Sequence, residues 1–179
     1  MAADLSQLTP DLRSKVETLL QLCAGLGVEM RPSSGLRDPF DQARLWRQSR
    51  SIEQINLKVA EFRAAGAHFL AHCITSVGPQ QGDPVTNAPP GFSWHQWGEA
   101  VDCFWLVDGK AEWSVERRIK GRNGYRVYSE QARQVGLTSG GQWTAIKDWP
   151  HVQLRAAASP DRILSVVDID RAMEATFEG

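Results

Sequence analysis

The sequence has no excess of either charge: 20 Lys and Arg stand against 21 Asp and Glu, interspersed along 179 residues. A nucleic-acid binder needs a basic stripe facing the phosphates, so that class is set aside. Cysteine is scarce too. Cys23, Cys73 and Cys103 are scattered, odd in number and never in a C-x-x-C pair. This excludes a disulfide framework and a thiolate metal site, and implies synthesis in a reducing compartment. No run approaches the roughly 18 to 20 apolar residues needed to span a bilayer. The start, MAADLSQLTPDL, lacks the basic residues and apolar run of a signal peptide. The expectation is a soluble monomer made in the cytoplasm. Repeats, low-complexity tracts and linkers are absent as well. Residues 1–179 are therefore expected to form one domain, long enough to bury a core. Tryptophan is the one surplus, with seven residues. Core and rim packing accounts for them, with a groove for an extended ligand as the alternative.

Thr9-Pro10 predicts a helix start, and Val16, Leu19, Leu20 and Cys23 recur at core spacing behind it. VEM reads as a short strand before the turn-rich RPSSGLRDP. Helices are expected over FDQARLWRQSR and over IEQINLKVAEFRAAGAHFLAHCITSV, the latter broken near Gly66. Residues 78–92 hold four prolines and three glycines and predict a long ordered loop. From Glu99 the period becomes two, placing Val101, Cys103, Trp105 and Val107 on one strand face and Ala100, Asp102, Phe104 and Leu106 on the other. Asp108-Gly109 predicts a hairpin returning through KAEWSV. A helix around YSEQARQVGL, a glycine turn TSGGQW, a short strand DWPHVQL and a last helix from Ser159-Pro160 complete the chain. Helices and antiparallel strands segregated in this way predict an α+β fold, a small antiparallel sheet flanked by helices.

Residues 93–102, SWHQWGEAVD, set His95 and Asp102 seven positions apart, with Gly98 and Ala100 between them. Two ligand atoms about 2.0 to 2.1 Å from one tetrahedral zinc lie about 3.5 Å from each other. Straight strand would part the two Cα atoms by roughly 23 Å. Helix would leave them about 10.5 Å apart along its axis. A turn at Gly98 followed by a strand brings them together. Asp102 then projects beneath a loop carrying His95, Ala100 keeps the shared face clear, and the tryptophans exclude water. The chain has four histidines, so the search for a third ligand is short. KDWPHVQL supplies His151, with Asp148 three positions earlier. Pro150 holds Trp149 extended, and alternation turns His151 and Gln153 to one face. His95, Asp102 and His151 would make a site with an open fourth position, as in catalytic zinc. Asp148 would be the spare carboxylate, taking a proton from bound water and passing it to a leaving amine. Two alternatives stay open at this point: a hydrogen-bonded structural His–Asp pair, and Asp148 as a stabiliser of the DWP bend. His68 and His72 share a helix face, but Phe69 stands where a zinc helix needs glutamate, so they read as ordinary helix residues.

SWHQWGEAVD resembles the S-x-H-x-x-G-x-A-x-D motif of the zinc D-Ala-D-Ala carboxypeptidases and dipeptidases of the VanY and VanX type. GLTSGGQWTAIKDWPHVQL is similar to the L-alanyl-D-glutamate peptidase branch, which includes phage endolysins and carries a Gly-Gly-x-Trp turn before D-x-P-H. SSGLRDPFDQARLW and VTNAPPGFS resemble the segments that precede the first zinc histidine. The likeness covers about residues 30–154. It implies one Zn²⁺ held by His95, Asp102 and His151, and Asp148 as catalytic acid/base, aspartate being the form of the endolysin-like branch. It implies that Arg37 polarises the scissile carbonyl, a role suited to a permanently charged donor. Ser93 would orient a ligand or the substrate, and Gln42 would support Arg37. TSGG departs from relatives that carry an aromatic before the glycines, and residues 155–179 extend past the usual end.

The implied activity is hydrolysis of a peptidoglycan stem peptide, with the L-Ala–D-Glu bond favoured. D-Ala-D-Ala carboxypeptidase activity and an inactive zinc-stabilised binding domain are the alternatives. The expected place of action is the bacterial cell wall, reached as a phage lysis protein.

Overall fold

In the computed structural model, which describes residues 3–178, the Thr9-Pro10 start is present: α1 (Pro10–Gly25) begins there and buries Leu12, Val16, Leu19 and Cys23. The chain forms two compact units. One comprises the segment ending at Leu36 together with Gly98–Ala156; the other comprises Arg37–Trp97 and the chain from Ala157 onward. Among the described residues, no helix is long and apolar enough to cross a membrane.

The first unit is built on an antiparallel sheet of β1 (Glu29–Ser34), β2 (Ala100–Val107), β3 (Lys110–Glu112), β4 (Thr138–Ser139) and β5 (His151–Gln153). The order is β1-β2-β5-β4, and β3 also pairs with β2. β2 organises the whole because its alternation serves two surfaces. Val101, Cys103 and Trp105 join α1 and α5 (Gly124–Gln134) in one apolar cluster with Tyr125, Tyr128 and Val152. Asp102, Phe104 and Leu106 face the other way. The hairpin forms where predicted, with positive φ at both Asp108 (50°) and Gly109 (74°).

Three of the boundaries that differ from the sequence reading have a clear local cause. β1 runs on through Pro32 to Ser34, converting part of the expected turn to strand; β1 is an edge strand, where a proline lacking its N–H is tolerated. The return strand stops at Glu112 rather than reaching Val115. There Glu112 Oε1 accepts the Ser114 N–H (2.8 Å) and Ser114 Oγ accepts the Arg117 N–H (3.0 Å), so side chains replace the ladder. The last helix begins at Val166, not at Ser159-Pro160. Pro160–Arg162 form a single 3₁₀ turn, and Ser165 Oγ accepts the Asp168 N–H (3.2 Å) as the N-cap.

The second unit is helical: α2 (Pro39–Arg47), α3 (Ile52–Ala64), α4 (His68–Ser76) and α6 (Val166–Phe177). The break near Gly66 separates α3 from α4 as expected. α6 is integral to this core, with Ile169 and Met173 fully buried beside Phe62, Leu70 and Ile74. It also supplies a cap at long range. No side chain caps α4 at Ala67, and Asp170 Oδ1 accepts the Leu70 N–H at 2.8 Å.

Candidate metal centre

Gly98 makes the reversal that the histidine–aspartate spacing requires. Its φ is 65°, its carbonyl accepts the Thr9 N–H (3.0 Å), and a Cβ there would lie 3.2 Å from the Gln7 carbonyl oxygen. His95 precedes it on a 3₁₀ turn, Trp94–Trp97, and is buried. Ser93 Oγ accepts the His95 N–H (3.4 Å), and the His95 carbonyl accepts the Arg37 N–H (3.1 Å).

Asp102 and His151 are direct cross-strand partners, and so share a face of the sheet. His151 Nδ1 lies 3.1 Å from Asp102 Oδ1, and His151 Nε2 lies 3.0 Å from Gln153 Oε1. The Gln153 amide is oriented in turn by its Nε2 donating to the Arg155 carbonyl (2.7 Å). Burial pulls the His151 pKa down, but the hydrogen bond and charge of Asp102, with Gln153 and the charge of Asp148, outweigh it and leave the pKa raised. The Trp143 ring stands 5.2 Å from the imidazole, centroid to centroid.

One nitrogen of each of His95 and His151 and one oxygen of Asp102 all lie within 4.8 Å of one another. Neutral imidazoles and a carboxylate are the donor chemistry of a catalytic zinc, and small side-chain rotations reach the shorter spacing of a tetrahedral shell. The residues present therefore fit such an ion. His68 and His72 are exposed and stand apart from this group; Ser76 Oγ lies 3.1 Å from His72 Nδ1.

Asp148 sits in the turn before β5. Its N–H donates to the Gly140 carbonyl (3.0 Å), and its own carbonyl accepts the His151 N–H (3.2 Å). A Cβ at residue 140 would lie 2.3 Å from the Asp148 carbonyl oxygen, so only glycine admits this approach. The glycine turn of TSGGQW thus fixes the backbone of Asp148, whose side chain is exposed.

Arg37 Nη1 donates to Gln42 Oε1 at 2.9 Å. Gln42 is fully buried, accepts also from Gln96 Nε2 (3.1 Å), and donates through Nε2 to the Ala88 carbonyl (2.7 Å). The proline-rich loop therefore anchors the glutamine that holds Arg37. The sequence reading singled out neither Gln96 nor Gln153 for a role here. A glutamine one or two positions after a candidate ligand was the available signal.

The VanY family model, described as D-alanyl-D-alanine carboxypeptidase, matches residues 5–144. That span includes Arg37, His95 and Asp102 and stops before Asp148 and His151. The peptidoglycan L-alanyl-D-glutamate endopeptidase CwlK of Bacillus subtilis (strain 168) is 24% identical over 152 residues, covering 83% of this chain and 74% of that protein. Among solved structures, the L-Ala D-Glu endopeptidase ChiX of Serratia marcescens is 20% identical with a TM-score of 0.45, covering 84% of this chain and 83% of that one. A mutant of the D,D-pentapeptidase VanY from a VanB-type vancomycin-resistance cassette, in complex with Zn(II), is 21% identical with a TM-score of 0.46, covering 92% and 78%. With more than three quarters of its length matched by the family model, the chain belongs to the VanY family of peptidases.

Proposed function

We propose that the protein, with residues 1–179 acting as one peptidase domain, is a zinc hydrolase of the peptidoglycan stem peptide and cuts between L-Ala and D-Glu. The observation that carries this reading is the meeting of His95, Asp102 and His151 within 4.8 Å, with Asp148 held in the turn immediately before His151. The three residues would hold the ion. Bound there, zinc would supply a Lewis acid and lower the pKa of a water.

The remaining chemistry falls to the chain. The Asp148 carboxylate takes a proton from the attacking water and returns it to the departing amine. Arg37, braced by Gln42, donates to the carbonyl oxygen as negative charge develops there. Ser93 fixes the backbone of His95 through its hydroxyl. The endopeptidase CwlK, with the same favoured bond in its name, supports the choice of bond. The family description favours a second reading, D-Ala-D-Ala carboxypeptidase. We place the action at the bacterial cell wall, as a lysis enzyme of endolysin type.

Digestion of purified peptidoglycan with wild type and Asp148→Ala, both assayed for bound zinc, tests the reading. The expected result is a new D-Glu amino terminus from wild type and none from a zinc-loaded variant. Released D-Ala selects the carboxypeptidase reading. Silence from fully loaded wild type leaves a binding domain.

A further inference from the structure

Of the seven tryptophans, Trp113 alone is exposed among the described residues, at 59%. Packing explains the others but not this one. Its place in the sheet is specific. Trp105 and Leu106 pair with both β1 and β3, so those strands lie on opposite edges of β2; Asp102 pairs with both β1 and β5, which puts β5 on the β3 edge. The β3 register ends at Trp105↔Glu112, which brings Trp113 level with Phe104. The two rings meet there, their centroids 6.0 Å apart and their planes at 42°. Phe104 shares its face with Asp102 and hence with His151. Two strand positions separate Phe104 from Asp102, or about 7 Å.

The geometry points to a sugar-stacking platform: Trp113 and Phe104 receive the N-acetylated hexosamine ring that carries the stem peptide. This inference rests on the L-Ala–D-Glu reading. A pyranose presents a face of C–H groups that packs on the electron-rich face of an aromatic ring, and an exposed indole offers that face without burying its N–H. Charged hydrogen-bonding groups flank the pair. Arg31 is the direct partner of Phe104 on β1, and its guanidinium pairs with Glu29 at 2.5 Å, so both can meet hydroxyl and acetamido groups.

Distance selects the ligand. In the stem, a lactyl group and one residue separate the sugar from the L-Ala–D-Glu bond, roughly 7 Å at about 3.5 Å per extended unit. Four residues and the lactyl group separate it from the D-Ala–D-Ala bond, roughly 17 Å on the same scale. Only the nearer bond places a sugar on this platform while the peptide lies at Asp102 and His151.

The test measures binding of N-acetylmuramoyl-L-Ala-D-Glu and of L-Ala-D-Glu by NMR titration, in an Asp148→Ala background that leaves both intact. Trp113→Ala and Trp113→Phe are compared in that background, with folding checked by circular dichroism. The sugar-bearing ligand is expected to bind about tenfold more tightly, the scale of an aromatic contact. Trp113→Ala should bring the ratio to within about twofold, and Trp113→Phe should keep most of it. A ratio near one in the parent overturns the inference, and so does a ratio that survives Trp113→Ala. Equal weakening of both ligands assigns the pair to the peptide and overturns it too. Because binding needs no cleavage, the two readings fail separately. A ratio that Trp113→Ala abolishes, together with release of D-Ala, removes the bond assignment and the distance argument built on it but keeps the stacking contact. Cleavage at L-Ala–D-Glu with no ratio removes only the platform.

Discussion

His151 is held at both ring nitrogens, with Asp102 Oδ1 3.1 Å from Nδ1 and Gln153 Oε1 3.0 Å from Nε2. An imidazole that ligates a metal through one nitrogen carries its proton on the other, and an acceptor there fixes tautomer and ring angle together. The Asp102 side is where the candidate ligands gather, so Nε2 is the nitrogen that would keep its proton and donate it in a hydrogen bond to Gln153 Oε1.

Gln153→Ala should therefore weaken zinc binding by about 10- to 100-fold, the usual cost of losing an outer partner. Competition against a chromophoric chelator measures this directly. Unchanged affinity would show that the strand backbone alone orients His151.

Gly140→Ala probes the clamp on Asp148. The added methyl meets the Asp148 carbonyl oxygen at 2.3 Å, so the turn must move. Overpacking of this kind costs about 1–3 kcal/mol. The expected variant keeps its zinc and loses at least about tenfold in kcat, since a misplaced proton-transfer group costs a factor of that size or more. Full activity in a folded, zinc-loaded variant would remove the clamp from the mechanism.

Asp170→Ala should destabilise the helical unit by about 1–3 kcal/mol, because it strips the buried Leu70 N–H of its acceptor at the start of α4. Asp170→Asn, which keeps an oxygen in place, should recover part of the loss. Urea midpoints of the three proteins decide the order.

The thiols give a pH test. Burial pushes Cys23, Cys73 and Cys103 up to about 12. At pH 8 only about one part in 10,000 of each is thiolate, far below a free cysteine. Raising the pH towards 12 increases the reactive fraction, while unfolding at pH 8 restores it at once. Ellman's reagent should therefore register no thiol in native protein at pH 8 and three in denaturant. A fast-reacting native thiol would contradict the packing of its cluster.

Much of this was legible along the chain because its cause is local. Strict alternation from Glu99 marked the two faces of β2, one of which packs on α1 and α5, and Asp108-Gly109 marked its turn. The boundaries that shifted were settled by competition that periodicity does not register: an edge position tolerating Pro32, Ser114 bonding to its neighbours, and Ser165 offering a better cap than Ser159.

Reading along the chain was enough to identify the kinds of groups available and one indispensable bend. The sequence held two histidines and an aspartate of metal-binding chemistry, a spare carboxylate beside the second histidine, and a glycine where the chain must reverse. Which groups stand next to one another came from the folded chain. Asp102 meets His151 across 49 residues, Asp170 caps α4 across 100, and Gln42 joins Arg37 to the proline-rich loop. Trp113 reaches the face that carries the candidate ligands Asp102 and His151 through a strand register that its own neighbourhood does not announce. Spacing constrains residues a few positions apart, whereas partners this distant are chosen by the burial of two cores and the pairing of strands, which act on the whole chain at once.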